Sequence, residues 1–152
     1  MATPEERLAE LGLELPPVAA PLAAYIPAVR SGSLVFTSGQ LPTVDGELAV
    51  TGLVGDAVSL EQAVDCARIC ALNAIAAVAG LIGDLSAVRR VVKVVGFVAS
   101  TPDFHSQPQV INGASELLGQ VFGDAGAHAR SAVGVASLPR NAPVEVEIVV
   151  EV

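Results

Sequence analysis

A chain of 152 residues with 52% hydrophobic side chains can bury one substantial core, so a single domain spanning residues 1–152 is expected. Much of that hydrophobicity is alanine and valine and only 3% of residues are aromatic, which suits close helix-on-sheet layers better than a large aromatic-lined cavity. Eight Lys and Arg stand against sixteen Asp and Glu, a formal charge of −8 with no basic run, which excludes the clustered cations that a nucleic-acid partner demands.

The chain opens on Thr3-Pro4-Glu5-Glu6, the order of a helix start: threonine as N-cap, proline in the first turn, glutamate three residues after the cap. Leu8 and Leu11 give this short helix an apolar edge, and Gly12 can end it. The proline-punctuated run that follows is expected to lie extended over the surface, making residues 1–24 an N-terminal arm. This acidic, polar start lacks the charged-then-apolar order of a secretory signal. The longest greasy region, Ala71 to Ile82, is broken by Asn73 and Gly80 and is too short to span a bilayer. No membrane association and a cytoplasmic location are therefore expected.

Ser33 to Ser38 reads as a strand, and a turn at Asp45-Gly46 would bring Glu47 to Thr51 back against it as a hairpin. Ser59-Leu60-Glu61-Gln62 is a capping box opening a long helix to about Ala79, with Leu60, Val64, Ala67, Ala71, Ala74 and Val78 as its buried stripe. Cys66 and Cys70 lie in that helix and read as packing residues without a disulfide framework. Neither they nor His105 and His128 have the spacing of metal ligands, so no metal and no organic cofactor are expected. Val91 to Ala99, apolar apart from Lys93, reads as a central strand covered on both faces. A second helix is expected over Pro108 to Phe122, with Val110, Ile111, Ala114, Leu117, Leu118 and Val121 on one face.

The C-terminal stretch carries the chemistry. Arg130 to Ser137 and Val144 to Ile148 read as two strands around a corner at Leu138–Pro143. Alternation puts Arg130 on one side with the small residues Ala132 and Gly134, leaving room for a ligand to reach its guanidinium. That planar fork suits a carboxylate, to which it gives two parallel charge-assisted hydrogen bonds. Val144, Val146, Ile148 and Val150 face opposite Glu145 and Glu147. The order of elements implies an α+β sheet with both long helices on one face. The second face, expected to hold Arg130, Glu145 and Glu147, would be left to self-association.

The run Ala129-Arg130-Ser131, a hydrophobic strand, Leu138-Pro139 and an alternating Val144-Glu145-Val146-Glu147 resembles the C-terminal signature of the RidA/YjgF reactive-intermediate deaminases, formerly the endoribonuclease L-PSP family. Upstream, Tyr25 and a strand ending Thr37-Ser38-Gly39-Gln40, followed by Leu41-Pro42, is similar to the other half of the pattern. The resemblance covers most of the chain from Tyr25 onward. It implies a chorismate-mutase-like fold, a mixed β-sheet with two helices packed on one face plus a short N-terminal helix. It also implies a homotrimer with three sites in the clefts between subunits, hydrolysing enamine and imine metabolites such as 2-aminoacrylate. In that site Arg130 would hold the carboxylate of a small metabolite, and Tyr25, Ser38 and Gly39 would line the pocket. Asn112 would add polar contacts from the second helix, and Glu145 would serve the attacking water or the departing nitrogen. Two departures mark a divergent branch: Ala132 stands where many small members have cysteine, and the His105–Gln109 connection is longer.

Two other classes of function remain open on the sequence. A trimer could hold a small metabolite in the same cleft without turning it over, since Arg130 serves binding and catalysis equally. A purely structural protein would instead pair Arg130 with Glu145 or Glu147 across neighbouring strands.

Overall fold

The protein's structure is a computed structural model that describes residues 1–20 and 23–152. Helix α1 (Pro4–Glu10) begins on the expected capping box, with the Thr3 hydroxyl accepting from Glu6 N and the Glu6 carboxylate accepting from Thr3 N. It is docked on the body of the protein. Leu8 is buried, and the Glu5 carboxylate accepts from Leu85 N at 2.9 Å.

The first hairpin differs from expectation. β1 (Ala28–Ser31) and β2 (Leu34–Thr37) pair antiparallel around Gly32-Ser33. The Asp45-Gly46 turn instead joins a small separate ribbon, β3 (Thr43–Val44) with β4 (Glu47–Leu48). Pro42, which has no N–H to give a ladder, takes the chain out of the main sheet, so the segment after the turn cannot return to β2.

Helix α2 (Leu60–Ile82) starts at the Ser59–Gln62 capping box and runs past the expected stop at Gly80, ending at Gly83, whose N–H reaches Ala79 O at 2.8 Å. By length and composition alone α2 could cross a membrane, yet 56% of its most apolar window is buried inside the protein, as suits a core helix. The remaining elements are β5 (Arg90–Ala99), α3 (Gln107–Phe122), β6 (Ala129–Val135) and β7 (Val144–Glu151).

The main sheet has the order β1-β2-β7-β5-β6. Its neighbours are antiparallel except β5 and β6, which run parallel because α3 carries the chain from one to the other. Strand alternation then sets two faces. Val144, Val146, Ile148 and Val150 of β7 and Val94 and Val98 of β5 are fully buried beneath α2 and α3. Of the expected α2 stripe, Ala67, Ala71, Ala74 and Val78 are buried while Leu60 and Val64 are half-buried, and all six expected apolar residues of α3 are buried. The opposite face carries Val95, Phe97, Val149, Lys93, Glu145 and Glu147, none of them fully buried, with Val29 (48% exposed), Phe36 (39%) and Val133 (44%) towards its edges. β5 is therefore flanked on both edges but covered on only one face, because both long helices pack on the same side.

Candidate active site

Arg130 does not lie on the open sheet face. In the parallel register it pairs with Val94, and Ala132 and Gly134 pair with Gly96 and Val98, so Arg130 projects on the helix side. Glu145 pairs with Phe97 on the opposite face. The two strands around the Leu138–Pro143 corner are not neighbours, because β5 is inserted between them. Arg130 and Glu145 thus stand two strands apart on opposite faces of one sheet. A cross-strand ion pair between them is excluded.

The Arg130 side chain is instead braced by α3. Its Nη1 donates to Asn112 Oδ1 at 2.8 Å and to Ser115 Oγ at 3.2 Å, and its Nη2 donates to Pro108 O at 3.3 Å. The three acceptors fall on one helical face, spaced four and then three residues apart. Three of five guanidinium donors are engaged. Among the described residues Nε–H has no partner, and with the adjacent Nη2 it forms the side-on edge that matches a carboxylate.

His128 supports this arrangement. Its Nδ1 lies 2.6 Å from Gly126 O, which can only accept, so Nδ1 carries the proton. Nε2, 2.8 Å from Ser115 Oγ, then accepts from that hydroxyl in the neutral imidazole. Ser115 therefore turns its lone pairs towards Arg130. The sequence pointed to Asn112 but not to Ser115 or His128. The i, i+3 relation of Asn112 and Ser115 was the available signal for the first, and nothing local marks the second.

The other expected residues gather elsewhere. Tyr25, Gly39 and Glu145 line a cleft of about 640 Å³ together with Gln40, Asn73, Arg140 and the arm residues Pro16–Ala20 and Ala23. A Cβ on Gly39 would stand 2.6 Å from Glu145 Oε1, so only glycine lets the carboxylate lie there. Burial raises the Glu145 carboxyl above its ordinary value, and the charge of Glu147 adds to this. The Ser38 hydroxyl donates to Ile26 O at 2.6 Å and so fastens the segment that presents Tyr25 to the end of β2. Asn73, which the sequence marks only as a polar break in an apolar run, holds the rim of the cleft by donating to Leu41 O and Thr43 O, both at 3.0 Å.

Cys66 and Cys70 are free and buried in the core. Desolvation pushes the Cys66 thiol up to about 11 and Cys70 well above its ordinary value, so neither is a ready thiolate. Among the described residues no group of three or more His, Cys, Asp or Glu could hold a metal ion.

Known proteins share this architecture. A family model described as "YjgF/chorismate_mutase-like, putative endoribonuclease" matches residues 5–152, which takes in most of the N-terminal arm. The chain is 53% identical to the protein Atu1372, of unknown function, from Agrobacterium tumefaciens; the match covers 98% of this chain and 92% of that one, with a TM-score of 0.91. A "putative endoribonuclease" of Shewanella oneidensis is 35% identical with a TM-score of 0.97, covering 99% of this chain and 100% of that one. E. coli TdcF with bound serine is 28% identical with a TM-score of 0.63, covering 91% of this chain and 94% of that one. The mixed sheet with two long helices on one face is the α+β, chorismate-mutase-like class. Within that class, the chain belongs to the YjgF family.

Proposed function

We propose that the protein hydrolyses small enamines and imines bearing a carboxylate, of the 2-aminoacrylate or 2-imino acid type, in clefts between the subunits of a homotrimer. The separation of Arg130 from Glu145 carries this reading. Each has its own polar surroundings, so one chain offers two half-sites: Arg130 with Asn112 and Ser115, and Glu145 with Gly39 and Tyr25. Copies associating through the open sheet face, with its exposed Val29, Phe36 and Val133, and meeting at the edge strand β6 that carries Arg130, would set one half-site against the other. The serine bound to TdcF is a small amino acid whose carboxylate is the kind of group Arg130 would hold.

In the reaction an enamine first gains a proton from water on its carbon to become the iminium, the protonated imine. Arg130 holds the carboxylate by its side-on fork. Glu145 of the adjoining copy takes a proton from water as the water oxygen bonds to the imine carbon and the C=N π pair moves to nitrogen. Glu145 then returns that proton to nitrogen. The C–N bond breaks, ammonia departs, and the remaining oxygen forms the carbonyl of a 2-oxo acid as it loses its proton. A carboxyl whose pKa is raised by burial is a stronger base than an ordinary carboxylate, which suits it to taking the water proton. A chain of formal charge −8 is poorly suited to a phosphate backbone, which weighs against RNA as the substrate.

The test is to generate an imino acid in situ with an amino acid oxidase, under excess catalase, and follow 2-oxo acid appearance in competition with semicarbazide trapping. The protein should divert flux from the trapped adduct to the free 2-oxo acid. Unchanged partitioning at micromolar protein overturns the deaminase, and 2-oxo acid binding in that same sample would favour the non-catalytic metabolite-binding protein.

A further inference from the structure

We infer that the N-terminal arm shapes the cleft for imino acids with a sizeable neutral, apolar side chain, a refinement that rests on the reading above. The part of the cleft that one chain supplies, about 640 Å³, lies within the range of ligand pockets for molecules much larger than 2-aminoacrylate. One wall is Pro16, Pro17, Val18 and Ala19, which offers hydrocarbon and no charge. The reacting end is marked by Gly39 and Glu145, which line the same cleft.

This wall is part of the fold rather than a loose extension. Leu13 and Leu15 pack against the core, and Leu13 N donates to Leu8 O at 2.9 Å, tying the arm to α1. Val18 rests on α2 where Gly80 leaves room; a Cβ there would lie 2.8 Å from Val18 Cγ2. Gly80, expected from sequence to close the helix, thus serves as the seat for the arm. The polar lining disfavours an acidic side chain. Asp45 and Glu145 both face the cleft, and the one arginine there, Arg140, donates to Gly46 O at 3.2 Å.

Each methylene buried on such a wall is worth roughly a fourfold gain in affinity. A leucine- or phenylalanine-derived imine should therefore exceed the alanine-derived one in kcat/KM by roughly tenfold or more. The products should follow, with 4-methyl-2-oxopentanoate binding more tightly than pyruvate by a similar factor. The experiment compares these imines and both 2-oxo acids on the full chain and on Val18→Asp and Ala23→Asp, with melting temperatures to confirm folding. Ala23 is exposed at the cleft edge, so its variant remains informative should Val18→Asp unfold. Both charges should pull the leucine-to-alanine ratio towards one. A ratio near one in the unmodified protein, or one that neither substitution changes, overturns the inference while leaving the deaminase standing. Loss of turnover with every imine instead removes the deaminase, and this refinement with it.

Discussion

Gly39 and Glu145 are fitted to one another: the Glu145 carboxylate occupies the space where a side chain on residue 39 would begin, with Oε1 only 2.6 Å from that point. Gly39→Ala must push the carboxylate aside. Its backbone is not among those at positive φ, so the alanine itself is unstrained and the fold should survive. The expected result is a melting temperature within a few degrees of the parent and a fall in kcat/KM of roughly ten- to hundredfold, as for a displaced proton shuttle.

Arg130 should not be replaceable by lysine. A point-charge ammonium reproduces neither the braces to Asn112 and Pro108 nor the side-on fork. Losing a charge-assisted pair costs about 1.5–3 kcal/mol, so Arg130→Lys and Arg130→Ala should both lose roughly ten- to hundredfold in 2-oxo acid affinity. Asn112→Ala and Ser115→Ala leave the charge but loosen its aim, and titration calorimetry should find smaller losses for them.

The stability of the protein should reveal the strain at Glu145. Its folded pKa is raised, so the fold disfavours the ionised form, and that destabilisation is present above the folded pKa. Below the ordinary value of 4.5 the carboxyl is protonated in both states and the effect vanishes. Glu145→Gln should therefore melt higher than the parent at neutral pH, with the difference closing as pH falls through the acid range. The same variant should keep 2-oxo acid binding while turnover falls. A lower melting temperature at pH 7 would show that the carboxylate is stabilising.

Much of this was legible in the sequence because the signals were local. The two capping boxes set the starts of α1 and α2, and the apolar face of α3 was readable residue by residue. Within β6, alternation correctly grouped Arg130 with Ala132 and Gly134. Which side of the sheet that group faces was not legible, because it depends on a non-local choice: β5 enters between β6 and β7, whereas the short corner between them suggested direct neighbours. β1 is hidden by the prolines that precede it, and the Asp45-Gly46 turn signal offers Ser33–Ser38 a partner that Pro42 diverts into a separate ribbon. The arm carries no periodicity, so its role as a wall became visible only where Val18 meets Gly80.

The open sheet face should hold the protein in solution as a trimer. Light scattering behind a sizing column should return three times the chain mass across a wide dilution range. Phe36→Asp, which sets a charge on that face, should lower it without unfolding the monomer. A dilution-stable monomer in the parent protein would remove the intersubunit site.

The central claim is that Arg130 and Glu145 act on one substrate from different copies of the chain, and mixing two crippled proteins tests it most directly. Arg130→Ala and Glu145→Gln should each be nearly inactive alone. After co-refolding at equal amounts, random trimers would contain sites with a native arginine from one variant and a native glutamate from the other. About a quarter of all sites should be restored in this way. Imine hydrolysis recovering to roughly that fraction of the parent rate is the predicted result. Mixed trimers, verified by mass spectrometry, that remain as inactive as their parents would contradict it.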